Sequence, residues 1–184
     1  MSLGNLIAKH LSGKKVLLFF VLTNLVYAFM LLVTIPKVMT YSEGLPLLDM
    51  MPTGYRPEYV VQLFETLGEE GRSAYLYNQL PADMIYPLLF AISYCLLLAY
   101  FLEKLSKLDT QWIYLCWLPL VAGAADYAEN FGIISMLNSF PDVSSGRAAL
   151  TNYFTVIKSV STTGYFVALT LVLLVLGFRG KRNS

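Results

Sequence analysis

The sequence predicts an all-α polytopic membrane protein, a four-transmembrane-helix bundle with amphipathic helices in its outer loop, forming a single domain over 1–184. Three observations lead there. The chain is 57% hydrophobic and 14% charged, against about 45–50% and about 25% in soluble domains, so it has too little charge to cover a water-facing surface. Its mean hydropathy is +0.59. Four apolar stretches reach the length of about 20 residues that crosses roughly 30 Å of hydrocarbon. Finally, 13 Lys+Arg against 12 Asp+Glu leave a net charge of +1, which excludes nucleic acid as a partner on electrostatic grounds. Two cysteines, 12 glycines and 8 prolines without period exclude disulfide-rich and collagenous classes.

The first span covers about 16–35, opened by Lys14-Lys15 and closed by Pro36. It is longer than the roughly 7–15 apolar residues of a signal peptide and no A-x-A pattern follows, so an uncleaved anchor is expected. Ahead of it, Leu3, Leu6, Ile7 and Leu11 share a helical face, which suits a short interfacial helix or a frayed tail. The second span covers about 84–102, between Pro81 and Glu103-Lys104; the third about 112–137, with Pro119 and Gly123 inside it; the fourth about 150–178. Four crossings place both termini on one side. Eight cations (Lys9, Lys14, Lys15, Lys104, Lys107, Arg179, Lys181, Arg182) flank that side and four (Lys37, Arg56, Arg72, Arg147) the other. The bias of short flanks assigns the termini to the cytoplasm.

The outer loop, 36–80, is irregular at Tyr41-Ser-Glu-Gly-Leu-Pro. Pro57 then suits a first helical position, Glu58 its first turn and Gly68 a left-handed close. Val60, Phe64 and Leu67 share a face of that helix, with Val61 beside them, so it either lies on the outer membrane surface or caps the bundle. A second helix follows from Glu69 into span two, kinked where Pro81 and Pro87 interrupt its hydrogen bonding. It carries Arg72, Tyr75 and Asp83 to the mouth of the bundle.

Spans three and four carry charge where charge is costly. Asp126, Glu129 and Asn130 stand on one helical face. Lys158 lies in span four, with Thr151, Thr155, Ser159 and Thr162 at helical spacing and Asn152 nearby. Both stripes must face the bundle interior, because charge facing lipid costs several kcal/mol. At about 1.5 Å of rise per residue, Asp126 and Glu129 sit about 12–17 Å below the outer boundary and Lys158 about 12 Å below it. Antiparallel neighbours thus bring acid and base to one level. Two carboxylates against one lysine leave a surplus negative charge, balanced by a proton, by Arg72 or by a bound cation. Asp83 and Tyr86 of span two, and Asn24 and Tyr27 of span one, are candidates to join the same cavity. For Asn24, Thr151 and Thr162 the simpler reading is interhelical hydrogen bonding, and Asp83 reads equally well as a helix-start residue.

The only histidine, His10, lies in the tail, so histidine acid/base chemistry in the core is excluded. Cys95 and Cys116 lack metal-ligand or redox spacing and read as small core residues. The methionines Met30, Met39, Met50 and Met51 read as apolar filling, not a copper site. No metal or other cofactor is expected, and no P-loop, H-E-x-x-H or Ser-His-Asp set is present.

The elements Gly68-Glu-Glu-Gly-Arg72-Ser-Ala-Tyr75, Asp83-x-x-Tyr-Pro-Leu-Leu-Phe90, Ala125-Asp-Tyr-x-Glu-Asn-Phe-Gly132 and Phe154-Thr-x-x-Lys158 resemble an uncharacterised family of small four-span bacterial inner-membrane proteins. The likeness covers roughly residues 50–165 and departs at Arg56-Pro57, where a Ser-type helix cap is expected. It implies an inner-membrane setting and weight on Arg72, Tyr75, Asp83, Tyr86, Asp126, Glu129, Asn130 and Lys158, without implying an activity.

Three functions follow as expectations. In the first, a lipid-like apolar molecule binds near the outer leaflet, with Asp126 or Glu129 as general acid/base and Lys158 setting its charge state. Arg72 and Tyr75 would recognise a polar head group, and Asp83, Tyr86, Asn130, Asn152 and Thr155 complete the binding residues. The second is a scaffold whose polar cluster fixes helix register. The third is a proton- or cation-coupled transporter, disfavoured by the narrow bundle and the lack of an inverted repeat, and rescued only if the chain forms a homo-oligomer.

Overall fold

The computed structural model describes residues 11–182, with side chains through Arg179, so most of the expected N-terminal interfacial segment lies outside the described residues. Every regular element is helical among the described residues. Helix α1, Gly13–Phe29, starts where Ser12 Oγ accepts from the Lys15 N–H at 3.3 Å. A π-helical turn, Met30–Thr34, carries it into α2, Ile35–Met39. Helix α3, Pro57–Ala74, passes through a second π-helical turn, Tyr75–Gln79, into the short α4, Leu80–Asp83. Helix α5 is Tyr86–Lys104, α6 is Trp117–Ser139 after a 3-10 turn at Gln111–Cys116, and α7 is Ser145–Arg182.

The helices Gly13–Met39, Pro57–Lys104 and Ser145–Arg179 contain stretches long and apolar enough to cross a membrane. Helix α6, within the third expected span, is not among them, because Asp126, Glu129 and Asn130 lower its hydropathy. The long helices leave apolar side chains uncovered: Leu32 is 77% and Phe178 72% exposed. In water such surface drives association. In hydrocarbon it is the ordinary exterior.

One expected boundary is corrected and one is found. Pro36 does not end the first span, because the π turn before it shifts the bonding pattern: the Ile35 N–H reaches Met30 O, five residues back. A proline lacks an N–H and crowds the carbonyl four residues earlier, and the wider turn makes room for it. The same device precedes Pro81, where the Leu80 N–H reaches Tyr75 O. Gly68 breaks the helix where a close is expected: Pro57–Ala74 is two helical segments that meet in a kink at this glycine. Its backbone at φ 61°, ψ −173° kinks the helix, which resumes to Ala74.

Helices α1 and α5, α5 and α6, and α6 and α7 pack in sequence, while α1 and α7 scarcely meet. The ring of four is therefore open on one side. Thr23 Oγ1 bonds both Phe19 O at 2.8 Å and Leu89 O at 3.1 Å, joining α1 to α5. The Tyr165 hydroxyl donates to Tyr94 O at 2.9 Å, joining α7 to α5. Close approach of α6 and α7 depends on Gly132, since a Cβ there would fall inside the Thr151 side chain. Helix α3 buries Val60, Leu63, Phe64 and Leu67 in a cluster with Ile133, Met136 and Leu137 of α6 and Ala148 of α7. It thereby covers one end of the bundle.

Candidate functional site

The polar residues of α6 and α7 meet as the helical spacing requires. The Lys158 ammonium donates to Asp126 Oδ1 at 3.2 Å and pairs with Glu129 Oε2 as well. Thr155 Oγ1 donates to the other Glu129 oxygen at 2.7 Å. Glu129 is fully buried and Asp126 nearly so, so these carboxylates have exchanged water for one ammonium and one hydroxyl. Such an exchange holds only while both partners are present.

Asp126 and Lys158 open onto a cleft of about 410 Å³, lined also by Asp49, Asp83, Tyr27, Tyr86 and Phe90 and by Ser159 and Thr162 of α7. Met30, Leu31, Ile35 and Ala122 supply apolar wall. The cleft occupies the gap between α1 and α7, backed by α5 and α6. Tyr27 and Tyr86 stack with ring centroids 5.4 Å apart, and Phe90 lies 5.7 Å from Tyr86.

Asp83 reaches the cleft because α4 ends on it and the chain turns before α5. Pro87 cannot supply the N–H that the Asp83 carbonyl would receive in a continuous helix. Asn130 supplies it instead, its Nδ2 donating to Asp83 O at 3.2 Å. Asn130 therefore positions Asp83. The Asp83 carboxylate, in a residue only 3% exposed, has neither a hydrogen bond nor an ion pair among the described residues.

The other sequence-derived candidates sit differently. Arg72 does not line the cleft. Its Nη1 donates to Phe64 O at 2.8 Å across the Gly68 kink and its guanidinium lies 4.3 Å from the centre of the Phe140 ring. Tyr75 is fully buried and donates to Asp49 Oδ1 at 2.5 Å. Asn152 Oδ1 accepts from the Tyr55 N–H at 2.7 Å, fastening the loop before α3 to α7. Asn24 bonds back to Phe20 O in its own helix, whereas Tyr27 lines the cleft. Cys95 and Cys116 are free thiols, and their side chains interact with each other.

Asp49 escapes a reading by spans because it lies in an irregular part of the outer loop. It accepts from Tyr75 and, at 3.2 Å, from Gln79 Nε2, while Gln79 Oε1 accepts from Thr34 Oγ1. The two π turns are thus bridged to each other and to Asp49. Its signal was a lone acid inside the apolar run Leu47-Leu-Asp-Met-Met51. Tyr55, likewise from the loop, lies near Thr155 and Glu129; its buried hydroxyl has no hydrogen-bond partner among the described residues, and burial pushes its phenol well above the usual range.

No group of three His, Cys, Asp or Glu side chains among the described residues is arranged to hold a metal ion. No protein-family model, curated protein or solved structure matches the chain.

Proposed function

We propose that the chain is a multi-pass bacterial inner-membrane protein that binds, or acts on, a lipid-like apolar molecule in the cleft between α1 and α7. The observation that carries this reading is the composition of one cleft, which joins an apolar and aromatic wall to Asp126 and Lys158. Small-molecule sites commonly combine an apolar lining with a few convergent polar groups. In this scheme Asp126 exchanges a proton with the polar end of the ligand, Lys158 sets its charge, and Glu129, held by Thr155, positions Lys158 from behind. Asp83 and Asp49 replace Arg72 and Tyr75 as the groups that meet the polar end.

Topology follows from the same elements. Helix α6 has 23 residues, about 34 Å at 1.5 Å per residue, and buries its charged face against α7, so it serves as a fourth crossing. Four crossings, taken with the cation bias of the flanks, support cytoplasmic termini. The bacterial inner membrane rests on the sequence resemblance.

The test is lipid retention. Asp126→Asn and Glu129→Gln proteins, purified in mild detergent, are expected to remain monodisperse while losing the small molecules that mass spectrometry detects in wild type. Retention of those molecules at wild-type level in both folded variants defeats the reading. A second reading, a structural cluster that fixes register, is favoured by the mutual pairing of Lys158, Asp126 and Glu129. Under it, a combined Lys158→Met, Asp126→Leu, Glu129→Gln protein folds at least as stably as wild type and retains full function in its host.

A further inference from the structure

We infer that the cleft recognises an amphiphile with a cationic ammonium head, an inference that rests on the lipid-binding reading above and names its ligand class. Asp49, Asp83 and Asp126 all line the cleft, and Lys158 is the one cation among its lining residues. That ammonium is already shared between Asp126 and Glu129. Asp49 is held by two neutral donors, the Tyr75 hydroxyl and the Gln79 amide. Asp83 is different: 3% exposed, it lines the cleft without any polar partner among the described residues. A buried carboxylate without a partner is costly unless it takes up a proton or a positive group delivered by the ligand, and a cationic ligand gains from the second.

A metal ion fits poorly, since it needs several oxygen ligands at short range and no such group of three is arranged among the described residues. An organic cation needs only one carboxylate and benefits from aromatic faces within about 6 Å. The stacked Tyr27 and Tyr86 border the same cleft. The apolar residues Met30, Leu31 and Ile35 continue the wall and suit an alkyl chain. Three acids in one wall disfavour an anionic head, so a phosphate-free ammonium amphiphile is the better fit than a phospholipid.

The experiment is displacement of radiolabelled dodecyltrimethylammonium from the full-length protein in decylmaltoside micelles. Dodecylamine is expected to compete, dodecanol to compete at least tenfold more weakly, and dodecylphosphocholine to fall between them. Asp83→Asn is expected to weaken ammonium binding at least tenfold and leave dodecanol unchanged. Should Asp83→Asn fail to fold, Tyr27→Leu decides: Tyr27 is 42% exposed, and its loss is expected to weaken dodecyltrimethylammonium several-fold. Dodecylphosphocholine competing as well as dodecyltrimethylammonium would keep ammonium recognition and make a phospholipid head its source. Dodecanol equal to the ammonium compounds, or Asp83→Asn and Tyr27→Leu proteins that bind like wild type, overturns the cationic head while leaving a lipid-like ligand in place. Absence of saturable binding by every probe removes both.

Discussion

Asn130 shows how one side chain can repair a defect that another creates. Pro87 leaves the Asp83 carbonyl without its helical donor, and Asn130 fills the vacancy from α6. Replacing Asn130 with Leu strands that carbonyl in a buried site, and is expected to cost about 1–3 kcal/mol. The check is the unfolding midpoint in mixed micelles. Ammonium binding should fall with it, because Asp83 loses its support. Lys158 is the more exposed case for stability: Lys158→Met leaves Asp126 and Glu129 facing each other, and removal of one partner from a buried ion pair costs about 3–5 kcal/mol. Restoring neutrality with Asp126→Asn and Glu129→Gln in the same chain should recover most of that loss, whereas failure to recover would deny that charge balance governs the cluster. The meeting of Asp126, Glu129 and Lys158 was legible from helical spacing alone, since antiparallel neighbours at equal depth have few other ways to satisfy buried charge. Arg72 misled because a cation near a bundle mouth suggests a head-group ligand. Nothing in its local sequence announces that it will brace a kink against Phe140, a residue 68 positions away.

Among the elements, the two π turns are what span reading missed. Apolar periodicity locates helices well, but it treats Pro36 as a stop and Pro81 as a kink, when a widened turn ahead of each absorbs the missing N–H. The turns are then joined by Thr34 to Gln79 and by Gln79 to Asp49. Thr34→Val should cost about 1 kcal/mol, the range of hydrogen bonds between membrane helices, while Gln79→Leu should cost more, because Asp49 loses a donor too. Equal effects of the two changes would argue against the bridge. The close approach of α6 to α7 can be probed the same way. Gly132→Ala inserts a methyl into Thr151 and is expected to destabilise by about 1–3 kcal/mol. A double change with Thr151→Ala should be milder than the sum, a coupling of about 0.5 kcal/mol or more. Asp49 and Tyr55 remained illegible for a related reason: loop residues have no period from which to infer what they touch.

At the scale of the molecule, the count of crossings decides the topology. If α6 crosses, cysteines introduced at Lys14 and Arg179 in a background lacking Cys95 and Cys116 will both be labelled only from the cytoplasmic side. Opposite-side labelling would leave three crossings, those of the three strongly apolar helices, and would require α6 to lie against them without spanning. Composition made the membrane class legible because covering a soluble surface needs charge that this chain lacks. Composition is silent on the order of packing, which closes α1 on α5, α5 on α6 and α6 on α7 while leaving the first and last helices apart. In the proposed membrane setting that gap has a thermodynamic meaning. A ligand that approaches through it arrives from the hydrocarbon and not from water, so the concentration it presents is its mole fraction in the lipid. Each added methylene favours partition into the bilayer by about 0.8 kcal/mol. Across a homologous series of alkylammonium ligands, apparent affinity per litre of water should therefore rise roughly fourfold per methylene, while affinity per mole of lipid stays flat.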